Sequence, residues 1–150
     1  MDIYDRYEEE ADRYLAAHGL RVPAGKLPAV REILVRETRH EADTYAGVGT
    51  VPGNTELMGI CAAQLWHGGA VEDALLIHRA RRTSMDATGA VDGQLMLGAG
   101  VARTTDYLRA LDTDEARQIL DDITWLAQSY DAERFAADLD NRYGTTQFRC

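Results

Sequence analysis

The chain has 150 residues, 45% of them hydrophobic and 27% charged, with a formal net charge of −9. That length buries a core in one domain without disulfides or structural metal, and its apolar runs fall far short of the ~20 residues a membrane-spanning helix needs. The negative charge repels polyanions, so nucleic acid would require a strong local basic patch; the one candidate is His78-Arg79-Ala80-Arg81-Arg82.

Residues 2–18 place Ile3, Tyr7, Ala11, Tyr14 and Leu15 at helical spacing with acids on the other face, and His18-Gly19 supplies a stop. Pro23 and Gly25 mark a turn, after which Pro28 suits the first turn of a second helix running to about Tyr45. The first half of that helix is apolar through Val30, Ile33 and Leu34. Its second half, Arg36 to Thr44, is almost wholly polar and reads as a solvated face on which Arg36 and Arg39 pair with the acids. Three glycines and Pro52 follow between Gly47 and Asn54, so 46–54 is expected to be the most mobile segment, with Asn54 or Thr55 capping the next helix.

Leu57, Ile60, Cys61 and Leu65 form the stripe of a helix over 55–67 that stops at Gly68-Gly69. Val71, Ala74, Leu75, Ile77 and His78 begin another, ending near Gly89. A short helix over 91–97 stops at Gly98-Ala99-Gly100, and the next restarts with Val101, Thr105, Leu108 and Leu111. Thr113 precedes a helix whose acidic first turn suits the positive end of the helix dipole, and Asp131 opens the last helix, with Phe135, Leu139 and Tyr143 facing inward. The tail 145–150 reads as frayed. Strand-type alternation is missing, so the expected fold is all-α: seven to eight helices in one compact domain spanning 1–150, with helix hairpins stacked as a short helical-repeat-like or irregular bundle.

Two octapeptides echo each other, QLWHGGAV at 64–71 and QLMLGAGV at 94–101. Aligned over 64–80 and 94–110 they share six identities in seventeen positions, against roughly one from background usage. A dinucleotide fingerprint needs a third glycine and a preceding strand, whereas Gly98-Ala99-Gly100-Val101-Ala102-Arg103 has arginine at that place and follows a helix. The words therefore read as two helix corners, the matched glycines Gly68 and Gly98 supplying left-handed caps. No cofactor is expected on this basis.

Glu37-Thr38-Arg39-His40 spaces two ligand-type side chains on one helix face, as di-iron bundles do, but no second copy of the motif exists. A catalytic reading would use Glu37, His40, Glu41 and His78; a metal reading would use Glu37 and His40 with His67. Either requires those groups to converge in one concavity. His78 lies on an apolar stripe, where a histidine with both nitrogens hydrogen-bonded is the ordinary occupant. Ser84 lacks the context of a nucleophile, Cys61 reads as core, and Cys150 as an adventitious thiol.

With no complete catalytic set visible, the chain reads first as a protein-interaction module, an adaptor, regulator or immunity-type inhibitor whose acidic surface takes a basic partner. Trp66, His67, Arg79 and Arg82 are the candidate partner-binding residues. A small helical enzyme or metal-binding protein built on the Glu/His cluster is the alternative. The start of the chain has no basic stretch leading into an apolar one, so the cytoplasm is the expected compartment, and arginine in place of lysine, with Lys26 the single lysine, suggests a GC-rich bacterial genome.

Overall fold

The structure is a computed structural model that describes residues 2–144; the tail 145–150, with Cys150, lies outside the described residues. It is all-helical, with eight α-helices among the described residues: α1 Ile3–His18, α2 Leu27–Tyr45, α3 Thr55–Gly68, α4 Asp73–Arg81, α5 Met85–Ala90, α6 Val101–Leu111, α7 Asp114–Leu126 and α8 Ala132–Gly144. Short 3-10 turns occupy Ala24–Lys26, Gly93–Leu97 and Ala127–Ser129. Among the described residues no helix is long and apolar enough to cross a membrane.

The core is organised around α3. Every residue from Leu57 to Leu65 is buried, because α3 is apolar on all sides and is packed by α1, α2, α5 and the Gly93–Leu97 turn. Its ends are well capped. Asn54 accepts a hydrogen bond from the Leu57 amide at 3.1 Å, and Gly69, at φ 73°, closes the other end in the left-handed region. Cys61 is buried in this helix and burial pushes its thiol up to about 12, which leaves it unreactive.

The segment expected as one helix from Val71 to about Gly89 is two. Thr83 Oγ1 donates to the Ala80 carbonyl at 2.7 Å, and Ser84, in extended conformation, caps α5 by accepting from the Ala87 amide. These hydroxyls satisfy backbone groups locally and so compete with a continuous helix. Likewise the expected helix over 91–97 is a 3-10 turn, capped by Asp92.

The echoed words meet in space, yet their matched glycines are not the left-handed caps. That conformation belongs to the neighbouring Gly69, at φ 73° and ψ 16°, whereas Gly100, at φ 93° and ψ 154°, precedes α6 as its N-cap. Gly98 instead lies flat against the first word: a Cβ there would sit 2.6 Å from the Trp66 carbonyl oxygen and 2.9 Å from its Cα. The paired glutamines do share a role. Gln64 Nε2 donates to the Gly19 carbonyl at the end of α1, and Gln94 Nε2 donates to the Leu126 carbonyl at the end of α7, each supplying a donor that a helix C-terminus lacks.

Candidate functional site

The polar half of α2 has the expected solvated face, with Arg36, Arg39, Ala42 and Asp43 exposed, but two of its acids are not part of it. Glu37 and Glu41 are only 5% and 4% exposed, because they continue the inward stripe Leu27, Val30, Leu34 at alternating spacings of three and four. A buried carboxylate has to be hydrogen-bonded, and here the partners come from the loop before α3. Glu37 Oε1 accepts from the Asn54 amide at 3.0 Å and Glu41 Oε1 from the Gly53 amide at 3.1 Å. Ser84 Oγ donates to Glu41 Oε2 at 2.7 Å, joining α5 to the same anchor. Arg36 pairs with Glu37 Oε2 at 2.6 Å.

A glutamate receiving the amide of an N-cap residue is half of a capping box. In α3 the position that would supply it is Leu57, and α2 provides the acid instead. The positive end of α3 then faces two carboxylates, a favourable arrangement. From the other side Tyr7 donates to the Pro52 carbonyl at 2.6 Å, and Asn54 Nδ2 donates to the Tyr7 carbonyl at 3.0 Å. Thr44 Oγ1 donates to the Val51 carbonyl, and the amides of Val48 and Gly49 both reach the Asp43 carbonyl. The segment 46–54 is therefore hydrogen-bonded to both α1 and α2.

What this framework holds outward is apolar. Val48 is 78% exposed, Val51 in the same loop and Tyr45 in the last turn of α2 are exposed too, and Tyr4 of α1, 64% exposed, shares a cavity with Gly53 and Asn54. Tyr4, Tyr7, Glu8 and Glu56 border a cavity of about 350 Å³ at the start of α3. A neighbouring cavity of about 600 Å³ is bordered by Ile3, Arg6, Glu10 and Val51. Sequence reading did not place a site at this end, having read 46–54 as a mobile loop; the signal was the continuation of the α2 stripe through Glu37 and Glu41.

The other candidate residues are dispersed. His40 borders a groove of about 390 Å³ on the outer face of α2 with Arg31, Val35, Arg36 and Arg39, its Nδ1 3.8 Å from Glu37 Oε1. His67 faces Arg21 and Asp140; burial first, then Arg21, lowers its pKa. Trp66 donates from Nε1 to the Tyr130 hydroxyl at 3.1 Å and packs edge-on against Phe135, whereas Trp125 of α7 is exposed. Arg79 forms a two-point pair with Glu115 of α7, and Arg82 reaches Gln118 Oε1 at 2.7 Å. Glu37, His40, Glu41, His67 and His78 thus do not converge, and among the described residues no group of three or more His, Cys, Asp or Glu is placed to hold a metal ion.

His78 departs from expectation in a different way. It is 3% exposed, but neither ring nitrogen has a hydrogen-bond partner among the described residues. Burial, and after it the charge of Arg82, lowers its pKa below the ordinary 6.5. The native state therefore refuses a proton that the unfolded chain accepts. This contribution to stability is complete above pH 6.5 and is lost as the pH falls from there toward the lowered native value. Denaturant unfolding at pH 7.5 and 5.5 should show wild-type protein losing stability on the acid side, and His78→Leu losing less; an equal loss in both would exclude His78 as a source. His67, shifted in the same direction, accounts for part of what remains.

No protein-family model, no curated protein and no solved structure matches the chain.

Proposed function

We propose that the chain is a protein-interaction module, an adaptor, regulator or immunity-type inhibitor, that binds a basic partner through the end formed by the start of α1, the last turn of α2 and the loop into α3. One observation carries this reading: a loop anchored by two buried carboxylates displays Val48 and Val51, with Tyr4 and Tyr45 beside it, to solvent. Exposed apolar side chains on a fixed support, with a polar surround, are the usual make-up of an association surface. Anchoring removes much of the ordering entropy that a free loop would lose on binding.

The surround here is mainly acidic: Glu8 and Glu56 border one cavity, Glu9 and Glu10 with Arg6 and Arg13 border the other, and the chain has a net charge of −9. Such a field steers a cationic partner and makes the association rate fall with ionic strength. The alternative, a small enzyme or metal-binding protein using the Glu/His cluster, has less support, since Glu37 and Glu41 are engaged by Gly53, Asn54 and Ser84.

A cytoplasmic adaptor of this kind is tested with a photo-crosslinking side chain at position 48 and, as control, at position 125. A partner rich in Lys and Arg should be captured from position 48, and Val48→Asp with Val51→Asp should weaken its binding about 10-fold or more without changing the melting temperature. A partner that tolerates those changes and is captured from position 125 would overturn the assignment of the face.

A further inference from the structure

A second surface, away from the loop, combines features that the fold itself leaves unused. Between the C-terminal half of α4 and α7 lies a cavity of about 350 Å³ bordered by His78, Arg81, Arg82, Gln118, Asp121 and Asp122. Five guanidiniums close onto carboxylates, Arg21 on Asp140, Arg31 on Asp73, Arg36 on Glu37, Arg79 on Glu115 and Arg117 on Asp112 and Asp114. Arg81 and Arg82, which share this cavity with two aspartates, are not among them. Arg81 donates from Nε to the Val91 carbonyl at 2.8 Å and Arg82 from Nη1 to Gln118 Oε1. Among the described residues neither arginine has an ion-pair partner within 4.0 Å, although Asp121 and Asp122 border the same space.

The floor is formed by His78, a buried imidazole with one N–H donor and one lone pair that none of the described residues takes up. A buried polar ring without partners is uncommon and calls for an occupant. Two cations belong to the α4 side, two carboxylates to α7, and the space between them is at the lower end of the range for small-molecule sites.

We propose that this cleft binds a small zwitterion, an amine-bearing carboxylate of the amino-acid class. The carboxylate lies against the free guanidinium N–H groups of Arg81 and Arg82, where forked, charge-assisted hydrogen bonds are strongest. The ammonium lies against Asp121 and Asp122. Drawing Arg82 from Gln118 toward the carboxylate opens the floor, and the imidazole of His78 completes the polar contacts of the ligand. A purely anionic ligand would be repelled by the aspartates and a purely cationic one by the arginines, so the site selects for both charges in one molecule.

Isotope-labelled protein titrated with glycine, β-alanine and 4-aminobutyrate, which differ in the separation of their charges, tests this by NMR. At least one should bind saturably, shifting the ring signals of His78 and the amides of Asp121 and Asp122, with acetate and methylamine at least about 10-fold weaker. Arg82→Gln and Asp122→Asn, both at exposed positions, should each weaken that binding by a similar factor, and Arg117→Gln should not. No saturable shift with any of the three, acetate binding as well as the best zwitterion, or binding indifferent to Arg82→Gln and Asp122→Asn would each overturn the proposal.

Discussion

Replacing Gly53 with alanine is expected to lower stability by about 3 kcal/mol, the upper part of the range for inserting a methyl group into a packed contact. The added Cβ would stand 2.3 Å from the Glu37 carbonyl oxygen and 2.9 Å from the Glu41 Cβ. That oxygen belongs to the backbone of α2 and cannot move without breaking the helix, so the loop has to withdraw. In doing so it loses the Gly53 amide bond to Glu41 and the Asn54 amide bond to Glu37. Gly25→Ala is the matched control: nothing lies within 4 Å of its Cβ and its φ is not in the left-handed region. Urea unfolding of both variants checks this, and a Gly53→Ala protein as stable as Gly25→Ala would mean that the loop is not seated on α2 in solution.

Glu41→Ala should cost about 2–4 kcal/mol, since it strands the buried Gly53 amide and deprives Ser84 of its acceptor, each at roughly 1–3 kcal/mol, and leaves a void beside them. Glu41→Gln should cost less, because the amide oxygen still accepts one of the two bonds and the Ser84 hydroxyl can turn to accept from the amide NH₂. The coupling is testable by a double-mutant cycle. Glu41→Ala combined with Ser84→Ala should destabilise by less than the sum of the single changes, by roughly 0.5–3 kcal/mol for contacting residues; strict additivity would show that the 2.7 Å contact between them contributes nothing. Partner binding at the loop should weaken in Glu41→Ala at temperatures where the protein remains folded, because the support of Val48 and Val51 is loosened.

Much of the fold could be read residue by residue. The stops at Gly19 and Gly69, Asn54 as a cap, and the acidic first turn of α7 depend on neighbours within four positions, and the structure has them where the sequence puts them. The break at Ser84 was legible in principle, since Thr83-Ser84 is a helix-start signal, but the apolar spacing on either side runs through it. The site was far less accessible. Glu37 and Glu41 look solvated because their type is almost always exposed, and only their register with Val30 and Leu34 says otherwise. His78 was rightly placed on a buried face, but whether a partner reaches its nitrogens depends on α7, about forty residues further along.

The amino-acid sequence by itself determined the helices, most of their ends and the pattern of the core, because these follow from local backbone preference and from which side chains leave water. Tertiary structure alone decided which polar groups are paired. It made two glutamates of α2 the anchor of a distant loop, turned the echoed corners into surfaces that touch through Gly98 and Trp66, and left His78, among the described residues, without a hydrogen-bond partner beside two arginines and two aspartates that form no ion pair. Burial can be anticipated along one helix; hydrogen-bond satisfaction requires a second group from another element, at a distance and angle that only packing sets.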